Sequence, residues 1–213
     1  MTTPPPLHMM KPAYQTDYRI PTADEVKATM DRVLKYIDAE TPAKLVNRRT
    51  GQEVTQAKDI DENVQLARGG FRLTSYEWGV TYSGVLAAYQ ATSDKAYWDY
   101  VTKRQRLLAT AAQAFSALLK QGKNIDGNIR RVLDPHSLDD SGAMCCSMIK
   151  AMLADPTLPL RPLIDGYADF ILNREYRLSD DTFARLRPQQ NTLWLDDMFI
   201  PNRSLDRRLV IFL

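Results

Sequence analysis

The chain has 213 residues, of which 44% are hydrophobic and 25% are charged, enough apolar material for one sizeable core and therefore for one domain. Its 28 basic and 26 acidic side chains leave a formal net charge of +2. This balance gives no electrostatic case for binding nucleic acid or an anionic membrane surface.

The N-terminal residues 1–21 are interpreted as an extension that precedes the folded domain. Met1 to Tyr18 is rich in Pro, Thr and Met and lacks a basic segment followed by an apolar one, so it does not match a secretory signal. No apolar run approaches the roughly 20 residues that span a bilayer. We therefore expect a cytoplasmic protein, with a periplasmic location as the alternative if the N-terminus is mis-started.

The spacing of apolar residues predicts six helices. Thr22 and Glu25 match a capping box, and apolar residues recur every three or four positions from Val26 to Ile37, which predicts a first helix that Thr41-Pro42 ends. Ser93 is predicted to cap the third helix. The other helices are predicted over 76–91 (with Val80, Val85, Leu86 and Tyr89 inward), 94–120, 140–154 and 161–173, and from Trp194 onwards.

The long connections carry turn signals and no convincing strand pattern. Residues 45–70 are polar and irregular and are predicted to form a loop with at most a short helical turn. Residues 122–138 form a second long connection, with turn signals at Asp126-Gly127-Asn128 and Asp134-Pro135. The two cysteines, Cys145 and Cys146, are adjacent and form no disulfide framework. Long loops of helical hairpins collect at one rim, where a functional site is expected.

Two Asp pairs stand at the predicted starts of helices that follow long loops. Asp139-Asp140 comes shortly after His136, and Asp196-Asp197 comes shortly after Trp194. A single pair in this position is best explained as a helix cap, because carboxylates there bind free N–H groups and meet the positive end of the helix dipole. Two pairs at equivalent points of successive hairpins favour a site, and paired carboxylates are suited to acid/base chemistry on sugars.

These segments, together with Tyr76-Glu77-Trp78-Gly79 and Thr92 to Tyr97, resemble the unsaturated rhamnogalacturonyl hydrolases of glycoside hydrolase family 105, which are related to the unsaturated glucuronyl hydrolases. The similarity runs from about residue 70 to Phe199. Its most specific element is the Trp-x-Asp motif at Trp194 to Asp196, and Leu138 to Asp140 supports it.

The resemblance implies an all-α fold in which residues 22–200 form about half of an (α/α)6 barrel, six helical hairpins in two concentric rings. The implied substrates are pectin-derived oligosaccharides of the rhamnogalacturonan type, with a 4,5-unsaturated uronyl residue at the non-reducing end. In the implied reaction a carboxylic acid protonates C4 and water adds at C5. The resulting hemiketal then opens and releases the next sugar. The resemblance implies no metal and no organic cofactor.

The resemblance also implies roles for individual residues. By motif position, Asp196 would be the general acid/base, and Asp140 would be the second acid that helps to position water or substrate. Trp194 would line the sugar subsite, and Trp78 is a further candidate for the same role. An aromatic ring of this kind is more commonly a core residue.

Two basic side chains complete the candidate site. Some family members carry His in the loop before the Trp-x-Asp motif, where this chain has Arg185. A guanidinium binds a substrate carboxylate well, and a solvated loop arginine is the alternative interpretation. His136 lies beside the first Asp pair, where it is interpreted as a substrate-binding or a structural residue.

Chain length departs from the family, whose members continue well past the Trp-x-Asp motif. Residues 201–213 do not resemble that continuation, so we interpret them as an atypical tail of a truncated or frameshifted chain and expect little or no activity from it. Two alternatives stay open. One is a non-catalytic helical-hairpin module that binds a glycan or a protein, and the other is a glycosidase that uses two-carboxylate hydrolysis on the same barrel.

Overall fold

The structure is a computed structural model, and it describes residues 9–10, 19–194 and 197. This part of the chain is mainly α-helical, which confirms the predicted fold class. The helices are α1 (Ala23–Glu40), α2 (Tyr76–Thr92), α3 (Lys95–Lys120), α4 (Gly127–Leu133), α5 (Leu138–Ala154) and α6 (Arg161–Asp169). A small sheet contains β1 (Leu45–Asn47), β2 (Glu53–Val54) and β3 (Val64–Leu66). No helix in the described ranges is both long and apolar enough to cross a membrane.

The start of α1 is the predicted capping box. The Glu25 N–H donates to the Thr22 hydroxyl at 3.3 Å, and the Thr22 N–H donates to the Glu25 carboxylate at 2.8 Å. The end of α1 is attached to α3 by Arg104, whose side chain is 1% exposed. Its guanidinium donates to the Thr41 carbonyl at 2.6 Å and to the Asp38 carboxylate at 2.9 Å, so these buried N–H groups are satisfied.

The prediction for residues 45–70 is wrong in part: the segment forms an antiparallel sheet, but it also contains a short helical turn, Ala57–Asp59, as predicted. β1 is the central strand and pairs with β2 on one side and β3 on the other. Leu45, Val64 and Leu66 are buried in the core. Strands of two or three residues are too short to show the alternation that identifies a strand in sequence, and only their packing on the helices makes them regular.

One predicted helix cap and one predicted turn differ from the structure. Ser93 does not cap α3 but ends α2 in a left-handed conformation, with φ 59°. Asp94 caps α3 instead and accepts a hydrogen bond from the Ala96 N–H at 3.0 Å. The predicted turn at 126–128 is the start of α4, because the Asp126 carboxylate accepts a hydrogen bond from the Asn128 N–H at 2.8 Å. Asp serves equally well in turns and helix caps, so its presence alone did not distinguish them.

The remaining differences concern faces and ends of helices. The predicted inward orientation of Val80 is wrong, because this residue is 55% exposed. The buried face of α2 instead contains Trp78, Tyr82 and Leu86. α5 begins at Leu138 rather than at 140, and the helix predicted to reach 173 ends at Asp169 and continues as a π-helical turn, Phe170–Arg174. Most of the predicted sixth helix and the whole predicted tail, 201–213, lie outside the described residues.

Close packing of α2 on α5 brings the starts of these two helices together. A Cβ atom at Gly79 of α2 would lie 2.4 Å from the carbonyl carbon of Ala143 in α5, so the two backbones meet at a position where no other residue fits without movement. Next to this contact, the Tyr76 N–H at the start of α2 donates to the Asp140 carboxylate near the start of α5 at 2.7 Å. The fold therefore places the loops before both helices on the same side.

Candidate active site

An open cleft of about 950 Å³ lies at the start of α5. Its walls are the loop that precedes α5, the turn after α6 and the segment that leads to Trp194. The side chains of chemical interest along these walls are His136, Asp139, Glu175, Arg185, Trp194 and Asp197. Concave sites with a few converging polar groups and an aromatic ring are the usual form of a small-ligand site.

Arg185 contacts three other residues of the cleft, Asp197, Asp139 and Trp194. Its guanidinium binds Asp197 with two hydrogen bonds, from Nε to Oδ2 and from Nη2 to Oδ1, the latter at 2.6 Å. The same Nη2 donates to Asp139 at 3.2 Å. The guanidinium also lies over the ring of Trp194, 4.1 Å from its centroid. One cation thus joins Asp139 at the start of α5 to Trp194 and Asp197. Charge-assisted hydrogen bonds that use two donors of a guanidinium are among the strong hydrogen bonds in proteins.

The backbone around Arg185 is paired as well. The Arg185 N–H donates to the Thr192 carbonyl at 2.8 Å, and the Asn191 N–H donates to the Arg185 carbonyl at 3.0 Å. These bonds close a short hairpin, 185–192, which returns the chain to Trp194. Trp194 remains 43% exposed, so part of its ring is open to a ligand in the cleft.

Glu175 is a site residue that the sequence did not indicate. Its Oε1 accepts a hydrogen bond from the Tyr176 N–H at 2.9 Å, while its buried Oε2 has no hydrogen-bond partner among the described residues. Burial raises the pKa of Glu175, and the carboxylates of Asp197 and Asp139 raise it further. Glu175 therefore retains its proton to higher pH than an exposed glutamate. A lone Glu after a helix carries no sequence signal of such an environment.

Three of the predicted site residues, His136, Arg185 and Trp194, are brought together in this cleft. Asp140 is oriented differently: its carboxylate accepts from the Tyr76 N–H at 2.7 Å and lies 3.6 Å from the Arg131 guanidinium. In the first Asp pair it is Asp139 that bonds Arg185 in the cleft. Asp196, the predicted general acid/base, lies outside the described residues.

Trp78 is not brought to this cleft. It is 5% exposed, stacks on Phe71 with centroids 4.7 Å apart, and donates from Nε1 to the Tyr100 hydroxyl at 3.1 Å. It lines a separate cleft of about 580 Å³ together with Arg68 and Arg72. In the described ranges, no three His, Cys, Asp or Glu side chains are grouped so that they could hold a metal ion.

The geometry is suited to acid/base chemistry on a small polar ligand. Three carboxyl groups, those of Asp139, Glu175 and Asp197, share the cleft with Arg185, and one of them, Glu175, has a raised pKa. A buried carboxyl group with a raised pKa is a candidate proton donor. The exposed part of the Trp194 ring offers an apolar face to a sugar.

The chain matches a known protein family. The family model described as Glycosyl Hydrolase Family 88 matches residues 29–203, which include most of α1, all of α2 to α6, the residues of the cleft and the Trp-x-Asp motif. No curated protein matches the chain.

Proposed function

The chain belongs to glycosyl hydrolase family 88, and from this premise we propose that it acts on oligosaccharides with a 4,5-unsaturated uronyl residue at the non-reducing end. The family model supports a glycoside hydrolase of the family 88 and 105 kind. The rhamnogalacturonan-type substrate is the finer part of the proposal, and the resemblance of the Trp194 to Asp196 motif supports it.

In the proposed reaction Asp196 donates a proton to C4 of the unsaturated ring. The positive charge that develops at C5 is taken up by water, which loses a proton and leaves a hemiketal at C5. The hemiketal opens to a ketone at C5 and a hemiacetal at C1. The hemiacetal then collapses to an aldehyde at C1, and the bond to the next sugar breaks as that sugar leaves with the hydroxyl proton. For Asp196 to donate the proton, its carboxyl group must be protonated in the resting site, which burial and a neighbouring carboxylate can bring about.

The observation that carries the proposal is the meeting of both Asp-pair segments at one cleft. Asp139 of the first pair and Asp197 of the second bind the same guanidinium, although 57 residues of sequence lie between them. Trp194 and His136 line the same cleft and are proposed to contact the sugar. Asp140 stays a prediction as the second acid.

The proposal takes the chain to be active, so turnover would contradict the expectation of little or no activity that was based on residues 201–213. The first experiment measures the loss of ultraviolet absorbance of an unsaturated disaccharide, because hydration removes the conjugated double bond. We expect Asp196→Asn to lower the turnover by roughly 10² to 10⁴-fold, since Asn keeps the shape of Asp and cannot donate the proton. The matched control is Asp59→Asn, a change of the same kind at an exposed position in the turn Ala57–Asp59, for which we expect unchanged turnover.

Three other results would contradict the proposal. Normal turnover by Asp196→Asn would exclude this residue as the proton donor. Release of reducing sugar from a saturated substrate, with no absorbance change, would indicate two-carboxylate hydrolysis instead. Binding of the disaccharide in calorimetry without turnover by the unmodified chain would indicate a glycan-binding module.

A further inference from the structure

We propose that Arg185 is a positioning residue, which fixes Trp194 and Asp197, the described residues on either side of Asp196 in the sequence. The inference rests on the proposed function only in taking Asp196 as the proton donor. It differs from the role expected from the sequence alone, in which Arg185 binds a carboxylate of the substrate.

The first argument concerns the charge of Arg185. Its guanidinium already meets two carboxylates of the protein, in a two-point contact with Asp197 and a single bond to Asp139 at 3.2 Å. The side chain of Asp197 is only 6% exposed, so this partner has little competing water. A guanidinium that binds two carboxylates within the fold has much less attraction left for a third one on a ligand.

The second argument concerns Trp194. Its ring is stacked at 4.1 Å on the guanidinium, and the Arg185 N–H is bonded to the Thr192 carbonyl two residues earlier. Both the side chain of Trp194 and the backbone that leads to it are therefore held by the same residue. Lysine cannot reproduce this arrangement, because an ammonium group lacks the planar face and the paired donors.

The third argument is the position of Asp196 in the chain. Trp194 precedes it by two residues and Asp197 follows it directly, and Arg185 holds both. Loss of the Arg185 contacts would therefore remove a constraint on both sides of the proton donor in the sequence. Proton transfer depends steeply on placement, and an error of about 1 Å can cost roughly 10²-fold in rate.

The kinetic test uses Arg185→Lys, which keeps the positive charge and loses the stacked, two-point geometry. We expect kcat on the unsaturated disaccharide to fall by roughly 10 to 10²-fold while KM changes by less than about threefold. The matched control is Arg106→Lys on α3, where an exposed arginine contacts Asp155 at 3.5 Å. We expect this control to leave both constants unchanged.

A second readout needs no substrate and reports on the structure of the segment directly. Acrylamide quenching of Trp194 fluorescence, obtained by difference from Trp194→Phe, is expected to rise by at least about twofold in Arg185→Lys, because the ring loses its cover. If Arg185→Lys does not fold, Asp197→Asn replaces it. That variant keeps Arg185 and weakens the two-point contact, and we expect the same rise in quenching.

A KM raised tenfold or more, with unchanged kcat and unchanged quenching, would overturn the proposal and assign Arg185 to the substrate carboxylate. Unchanged quenching in both Arg185→Lys and Asp197→Asn would overturn it as well. If the unmodified chain shows no turnover of the disaccharide, the proposed function fails, while the quenching result still decides whether Arg185 holds Trp194.

Discussion

At the scale of single residues, neighbouring carboxylates in this chain have different partners. Asp139 bonds Arg185 at 3.2 Å, whereas Asp140 accepts the Tyr76 N–H at 2.7 Å and so caps α2, whose own N-cap residue Ser75 makes no side-chain cap. Successive positions on a helix point about 100° apart, so one member of the pair reaches the cleft and the other reaches a neighbouring helix. In this Asp-Asp sequence, Asp139 therefore lines the cleft, while Asp140 bonds the backbone at the start of α2.

Glu175 provides a prediction about pH dependence. Burial is the largest cause of its raised pKa, and the carboxylates of Asp197 and Asp139 raise the pKa further, while the Tyr176 N–H and Arg177 lower it. The folded state therefore binds this proton more tightly than the unfolded state does. Stability is therefore lost as pH rises from the ordinary value of 4.5 through the folded pKa. Glu175→Gln has no proton to lose at this position, so we expect its melting temperature to increase relative to that of the unmodified chain as pH rises.

The measurement is the melting temperature of both proteins across the range of about pH 4 to pH 8. Glu53→Gln is the control, because this carboxyl side chain is 52% exposed on β2, and we expect its difference from the unmodified chain to stay constant with pH. A melting temperature of Glu175→Gln that falls relative to that of the unmodified chain as pH rises would contradict the assigned direction of the pKa shift.

At the scale of elements, the contact between α2 and α5 controls where the loops before them lie. Gly79 is the position of closest approach, since an added Cβ would be 2.4 Å from the Ala143 carbonyl carbon and 2.6 Å from the Met144 nitrogen. Both are backbone atoms, which cannot rotate away as a flexible side chain would. Any separation of these helices would also stretch the bond between Tyr76 and Asp140.

Two glycines of the same helix give a matched pair of substitutions. Gly79→Ala is expected to lower the free energy of unfolding by about 2 to 3 kcal/mol through overpacking. Gly84→Ala, also in α2, would place its Cβ in open space and is expected to raise the free energy of unfolding by about 0.5 to 1 kcal/mol through helix propensity. Urea denaturation of both variants measures the difference, and equal effects of the two would contradict the packing argument.

At the scale of the whole molecule, most of the buried hydrophobic residues in the described ranges form one continuous core. It includes Ile37 of α1, Leu45 of β1, Tyr82 of α2, Phe115 of α3 and Met148 of α5, and it extends through α4 to Tyr167 of α6. Each helix and the small sheet contribute to this cluster, while Leu138, Phe170 and Ile171 form a second, smaller one.

We therefore expect a single cooperative thermal transition. The test compares circular dichroism at 222 nm, which follows the helices, with tryptophan fluorescence, which follows Trp78 and Trp98 in or against the core and Trp194 at the cleft. Coincident curves are expected for two-state unfolding. An earlier fluorescence transition in the unmodified chain that disappears in Trp194→Phe would show that the cleft unfolds on its own.

The sequence by itself determined the helical class, the capping box of α1 and the approximate limits of the helices, because these depend on the spacing and chemistry of residues within a few turns. It also identified both Asp-pair segments as candidates for a site. It did not predict the sheet over residues 45–66, whose strands have three residues or fewer and owe their regularity to the helices on which they pack.

Only the tertiary structure decided which side chains share the cleft. Arg185, Asp139 and Asp197 meet through contacts of 12 and 46 residues in sequence separation, and Trp78, for all its resemblance to a sugar-binding aromatic, is buried against Phe71. Glu175 is a candidate site residue because burial and two nearby carboxylates raise its pKa. Local patterns specify which face of a helix is apolar, whereas the partners of a polar side chain depend on how distant elements pack, which no local pattern encodes.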